Sequence, residues 1–187
     1  MSDQNTQPEK SGGEKKKAAK KKSSGPKYSG YDFDCFLAPQ DLLAAVHHLD
    51  QSGFFLEDIS CLDIEEGFLL VYHFDRFEQP GRVGLRVILD RQYPQVSSIY
   101  DIYPGAAWHE RECFDFFGIQ FTGHPNLLPL LLDPDYKGLP PLLKDDSARK
   151  DLQQLLPDRD TSPVSPESEE FSQQIRDCSK PKSRTQS

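Results

Sequence analysis

The chain has 187 residues, 36% of them hydrophobic, and a formal net charge of −8. That length suits one domain, and an acidic balance excludes a general nucleic-acid binder, whose domain is basic. No apolar run approaches the ~20 residues that cross a bilayer. The N-terminus has lysines with no apolar core behind them, so a secretory signal is not expected either.

The charge is unevenly placed. Residues 1–27 hold eight lysines against Asp3, Glu9 and Glu14, a net +5, which leaves −13 for the rest. With no aromatic or β-branched aliphatic residue this stretch cannot offset its chain entropy, and 1–27 is expected to be a disordered basic tail. The four cysteines, Cys35, Cys61, Cys113 and Cys178, are scattered without a C-x-x-C pair. That spacing suits neither zinc nor an iron–sulfur cluster. They are expected as thiols, the first three packed as small apolar groups. No metal site is expected from them.

Order is expected from about Tyr28–Phe36. Pro39 sits where a helix can start, and Leu42, Val46 and Leu49 fall at i, i+4 and i+7 with Leu43 beside them. Gly53 lies just past the end of that helix. His47 and His48 are adjacent, point about 100° apart and cannot share a metal. Three strands follow, Phe54–Asp63, Gly67–Phe74 and Arg82–Asp90, with Glu65-Glu66-Gly67 and Gln79-Pro80-Gly81 as connections. Their clean alternation predicts an antiparallel sheet with one covered face. Val96–Tyr103 is expected as a fourth strand. Pro104 opens a second helix and Gly118 closes it.

On that helix Ala106, Ala107, Cys113, Phe114 and Phe117 share one arc, with the Glu110 carboxyl in its middle. An acid on an apolar face must find a donor or stay protonated. The opposite arc holds Trp108, Arg111, Glu112 and Asp115, with Arg111 and Asp115 spaced to pair at i, i+4. After Gly118 the helical period is lost. Gly123-His124-Pro125, Asp133-Pro134-Asp135 and Leu139-Pro140-Pro141 are turns, and His124 is read as a turn histidine bonding the backbone beside Pro125. Leu127, Leu128, Leu130, Leu131 and Leu132 lie between these turns. So much leucine in a proline-bent segment predicts an extended arm that covers a partner.

The expected architecture is therefore α+β. A small antiparallel sheet of three to four strands packs with two helices over 28–118, and a partner-wrapping arm follows over 119–146. A disordered acidic, Ser/Pro-rich tail occupies 147–187, with a short helical piece at Ala148–Leu156. The catalytic constellations are weak. There is no phosphate-cradling glycine loop and no G-x-S-x-G elbow. Cys113 with His109 or His124 lacks oxyanion donors. The reading that survives as an enzyme is a free-standing acid/base catalyst using Glu110 or Glu112.

The stretch His109–Ile119, HERECFDFFGI, followed by Phe121-Thr122-Gly123-His124-Pro125, resembles the signature of the C-type subunit of bacterial complex I. Ile102-Tyr103-Pro104 ahead of Trp108, and Lys144-Asp145 near the end, are similar to that family too. The resemblance covers about Phe36–Asp146. It implies a subunit with no cofactor of its own, in the peripheral arm of an NADH:quinone oxidoreductase at the cytoplasmic face of the cell membrane. It would pack on the large quinone-site subunit, beside the iron–sulfur subunit, and touch the membrane only through the complex. The interface residues it implies are Trp108, Glu110, Arg111, Glu112, Asp115, Gly118, Gly123, His124, Pro125, Leu130, Leu131, Lys144 and Asp145, none of them catalytic. The chain departs from the pattern where the family has arginines after G-H-P and before Lys-Asp. Leu128-Pro129 and Leu143 stand there, a form that looks more like the corresponding subunit of membrane-bound energy-converting hydrogenases.

Overall fold

Residues 31–77, 81–156, 170, 171 and 173 are described by the computed structural model. The expected basic tail at 1–27 lies outside them, as does most of the chain after Leu156. The elements run β1 (Phe33–Leu37), α1 (Leu42–Gln51), β2 (Phe55–Ile64), β3 (Gly67–Asp75), β4 (Val83–Leu89), β5 (Gln95–Ser97), α2 (Ala106–Phe117), β6 (Gln120–Thr122) and α3 (Leu152–Leu155). The class is α+β, as expected. Pro39 starts a 3₁₀ turn at Pro39–Asp41 that feeds α1, whose Leu42, Ala45, Val46 and Leu49 are buried. Each leucine buried this way contributes roughly 1.5–3 kcal/mol.

The main sheet has the order β1-β4-β3-β2. The β2–β3 and β3–β4 pairs are antiparallel, but β1 runs parallel to β4. The sheet is thus mixed rather than antiparallel, and its fourth strand comes from before α1. The Val96–Tyr103 strand does not form. Only Gln95–Ser97 is extended, pairing in parallel with β6 in a separate two-stranded sheet. Ile99–Tyr103 curls into a turn in which Ile102 and Tyr103 both donate to Ile99 O. The Glu110 carboxyl takes the Ile99 N–H, which removes that donor from any ladder.

Gly67 opens β3 at φ 145°, where a Cβ would collide with the Leu89 carbonyl of β4, so only glycine lets the two strands close there. The helices α1 and α2 cover one face of the sheet over the main core, which includes Leu70, Tyr72, Phe74, Leu85 and Val87. The other face carries Phe36, Leu69 and Val71 and is covered by Leu152, with Leu155 and Leu156 packed against it. The short helical piece expected at Ala148–Leu156 is present as α3, and as far as Leu156 the segment is packed on the sheet rather than free. Leu152 N–H donates to Glu66 Oε1 at 2.9 Å, and Glu65 N–H donates to Lys150 O at 3.1 Å, so the segment is tied to the β2–β3 turn. Further on, the Phe171 ring lies 4.9 Å from that of Phe33. The arm also begins later than Ile119: Ile119 and Phe121 are buried in the main core, so β6 belongs to the body.

Candidate functional site

The arm from Gly123 to Asp145 is irregular but not loose: three buried acids of the body stand around it, and two of them, Asp115 and Asp63, hold its backbone. The first is Asp115 on α2. It is only 4% exposed, and its Oδ2 accepts the N–H groups of Leu130, Leu131 and Leu132 at 2.9, 2.7 and 3.0 Å. One turn earlier Arg111 Nε and Nη2 donate to Leu128 O and Pro129 O at 2.8 and 2.6 Å. Arg111 and Asp115 therefore do not pair with each other. One grips carbonyls of the arm and the other its amides, which satisfies a backbone that has no ladder of its own.

The second acid is Glu110, with no exposed surface. Its Oε2 accepts from Ser98 Oγ at 2.6 Å and its Oε1 from Ile99 N at 2.8 Å. Burial pushes this carboxyl up to about 7, and the Ser98 and Ile99 donors offset only part of the rise. His124 Nε2 lies 4.0 Å from Glu110 Oε2 and 3.2 Å from Ala107 O. Asn126 N–H donates to His124 Nδ1 at 3.0 Å, which leaves Nε2 to carry the ring proton toward Ala107 O. His124 does bond the local backbone, and it also pins the Gly-His-Pro corner to α2. With both Glu110 oxygens engaged and no surface exposed, an acid/base role toward a substrate has no room. Glu112 is exposed.

The third acid is Asp63 at the end of β2, also fully buried. It takes Arg91 Nη1 at 2.6 Å, Arg149 Nε at 3.1 Å and the Lys144 N–H at 2.8 Å. Burial alone would raise this carboxyl, but the Lys144, Arg91 and Arg149 donors hold it below the usual carboxylate range. Arg149 Nη2 also donates to Lys144 O at 2.7 Å. The Lys144-Asp145 pair is thus fixed through its backbone while both side chains face solvent. Sequence reasoning did not single out Asp63, Arg91, Arg149 or Ser98. The signal for Asp63 was available, since alternation places it on the same face as Ile59 and Cys61, an acid on an apolar row like Glu110.

Gly118 caps α2 at φ 77° and donates to Phe114 O, turning the chain toward the arm. Gly123 has φ 87°, and Pro125 is exposed beside it. The arm is seated, and its outer side carries several exposed apolar side chains among charged ones. Leu127 and Leu143 pack against the core and Leu130 is half-buried. Leu128, Leu131, Tyr136, Leu139 and Leu142 are exposed, Leu131 by 65% and Leu139 by 80%. Trp108 is 62% exposed, with the Arg111 guanidinium 5.6 Å from its ring centroid.

Among the described residues the cysteines, Cys35, Cys61 and Cys113, have no nucleophilic setting. Burial pushes the Cys35 and Cys113 thiols up to about 12, and Cys113 Sγ lies 3.9 Å from Ile59 O. Among the described residues no group of three or more His, Cys, Asp or Glu side chains is placed to hold a metal ion. No helix among them is long and apolar enough to cross a membrane.

Residues 36–152 match the family model described as "Respiratory-chain NADH dehydrogenase, 30 Kd subunit". The C subunit of NADH-quinone oxidoreductase from Roseiflexus sp. (strain RS-1) is 45% identical over 89 residues, 46% of this chain and 51% of that protein. The C/D subunit of NADH-quinone oxidoreductase from Acidiphilium cryptum (strain JF-5) is 48% identical over 82 residues, 44% of this chain and 14% of that protein. The chain thus spans about half the length of the first of these relatives and a small part of the second. Among solved structures, the fold is similar to a chain of the membrane-bound sulfane sulfur reductase, an archaeal respiratory membrane complex. The TM-score is 0.56 at 23% identity, covering 71% of this chain and 84% of that one.

Proposed function

The chain belongs to the family of the respiratory-chain NADH dehydrogenase 30 Kd subunit, and from that premise we propose that it is a non-catalytic subunit of a complex I-like NADH:quinone oxidoreductase. In this reading it docks through its arm on the large quinone-site subunit, beside the iron–sulfur subunit, in the peripheral arm at the cytoplasmic face of the membrane. It supports electron transfer from NADH to quinone, coupled to ion translocation, and carries no cofactor itself.

The observation that carries this reading is the contrast between the two sides of the arm. Arg111, Asp115 and Asp63 fix its backbone, yet five of its large apolar side chains, and Trp108 on α2, stand in water. A seated segment with an apolar outer face is what an obligate interface needs. Relatives named as C/D subunits carry a segment like this one within a longer chain, which favours the D-type subunit as the partner. A second reading, membership in the equivalent complex of an energy-converting hydrogenase, rests on Leu128-Pro129 standing where the C-type family of complex I has arginines.

Co-purification tests the proposal. A tagged chain should bring down the large subunit. Leu128→Ser with Leu131→Ser should abolish that while leaving the melting temperature within about 2 °C, because both side chains are exposed. Retention of the partner by the double variant would refute docking through this face. The activity of the purified complex, NADH oxidation with quinone or hydrogen turnover, separates the two memberships.

A further inference from the structure

The Gly-His-Pro corner, where the arm leaves the body, is seated by the ring of His124. That side chain is 1% exposed, and its two nitrogens have fixed and different duties. Asn126 N–H donates to Nδ1 at 3.0 Å, so Nδ1 must present a lone pair. Nε2 then carries the ring proton, which it directs to Ala107 O at 3.2 Å. An imidazolium has an N–H at both positions. Its Nδ1–H would point at the Asn126 N–H, donor against donor, and a backbone amide cannot reverse its role.

The surroundings offer an imidazolium little in exchange. The Tyr100 ring, in the turn after β5, lies 6.3 Å from that of His124. From α2 the ring faces Ala107 O and the carboxyl of Glu110, whose Oε2 is 4.0 Å from Nε2. Both Glu110 oxygens already take other donors, Ser98 Oγ and Ile99 N. The Tyr72 phenol of β3 and the Cys113 thiol also stand near Glu110, and burial raises both, so neither supplies a charge. Glu110 itself is pushed up to about 7, so acid neutralises it before the ordinary imidazole range at about 6.5 is reached. A proton on the seated ring would then be buried without a counter-charge, which is costly. A ring released into water takes the same proton freely.

We infer that the corner is an acid-released catch for the docking arm, because the proton that makes His124 an imidazolium and the bond that seats the corner exclude each other. Gly123, at φ 87° with open space around it, is the hinge. The exposed Leu128 is held from two directions, its N–H by Asn126 O at 2.9 Å and its carbonyl by Arg111. Release of the corner removes the first of these, while Asp115 still holds the backbone farther along. The unseated corner binds one more proton than the seated one. Seating is therefore complete above the imidazole range and is lost as pH falls through it, by at most about tenfold per pH unit. The inference rests on the docking reading and adds to it a dependence on pH.

The test follows the full chain by nitrogen-15 NMR from about pH 7.5 to about pH 5, across the imidazole range, and measures retention of the chain in the purified complex over the same range. At the upper end His124 Nδ1 should be unprotonated and the Asn126 amide in its hydrogen-bonded position. As pH falls, the amide should leave that position in step with protonation of the ring, and retention should fall with it, by up to about tenfold per pH unit. His124→Asn supplies an acceptor oxygen for the N–H two residues on and does not titrate. Retention of this variant should change by less than about twofold, which separates the corner from titrating groups of the partner. A ring that protonates with the Asn126 amide unmoved, a ring still neutral at the lower end, or equal losses of retention in the native and His124→Asn complexes would overturn the catch. If His124→Asn is itself unseated at the upper end, the ring and amide of the native chain decide alone. Retention of the partner by Leu128→Ser/Leu131→Ser would remove the docking reading, and the same two resonances would still decide whether acid opens the corner.

Discussion

The Ser98 hydroxyl donates to Glu110 Oε2 at 2.6 Å, across the junction between the short strand β5 and the middle of α2. The Ile99 amide engages the other oxygen, so one buried carboxyl joins the signature helix to the turn that precedes it. The ordinary value for this acid is 4.5 and burial raises it to about 7. The folded state therefore holds a proton that the unfolded chain has lost between those two values. Stability from this group is fully present below pH 4.5 and is lost as pH rises through about 7, by about 3 kcal/mol in all. Glu110→Gln cannot titrate. Urea unfolding of both proteins from pH 4.5 to 7.5 should show the variant gaining about 3 kcal/mol on the native chain as pH rises. A constant difference across that range would contradict the buried-carboxyl account.

Asp63 works in the opposite window. Its folded value is depressed, so its contribution is present above the ordinary value of 3.8 and is lost as pH falls through the lower folded value. Asp63→Ala leaves Arg91 and Arg149 without their shared partner and frees Lys144 N–H. It should cost about 3 kcal/mol or more near pH 7, read by urea unfolding. A cost under about 1 kcal/mol would mean the cluster is incidental.

Truncation after Asp146 removes Arg149 and Leu152 together. Leu152 is 4% exposed, and burying a leucine contributes roughly 1.5–3 kcal/mol, so the truncated chain should lose about 3 kcal/mol or more. A chain ending after Leu156 retains both. Equal melting temperatures for the two truncations would show that the sheet's second face does not need this segment.

Two glycines separate strain from crowding. Gly123 has a positive φ and open space around a built Cβ, whereas Gly118 has a positive φ and Pro140 Cγ at 3.3 Å. Gly123→Ala should cost about 1 kcal/mol from backbone strain alone. Gly118→Ala should cost more, because Pro140 must also give way. The reverse order in thermal unfolding would contradict the placement of the arm against the end of α2.

The sequence made the local elements legible where period and punctuation agree. Leu42, Val46 and Leu49 marked α1, the alternation of Phe68–Phe74 marked β3, and Pro104 and Gly118 bracketed α2. It did not disclose long-range pairing. Phe33–Leu37 is too short to declare which strand it joins, and Ile99 reads as strand until the Glu110 carboxyl takes its amide. Arg111 and Asp115 have ideal helical spacing for one another, yet the unpaired backbone of the arm competes for both and wins, since an exposed i, i+4 pair contributes only a few tenths of a kcal/mol. The leucines of the arm stand out in the sequence as a group between its prolines. Which of them face outward depends on Asp115 and Arg111, so Leu128 and Leu131 rather than Leu130 carry the exposed face.

Side-chain footprinting with hydroxyl radicals, on the free chain and on the purified complex, tests the docking claim most directly. In the free chain Trp108, Leu128, Leu131 and Leu139 should all be labelled, as should Phe77 and Tyr93, which are exposed elsewhere on the body. In the complex the account predicts protection of the first four and unchanged labelling of Phe77 and Tyr93. Equal labelling of Trp108, Leu128, Leu131 and Leu139 in both states, or protection centred on Phe77 and Tyr93, would contradict it.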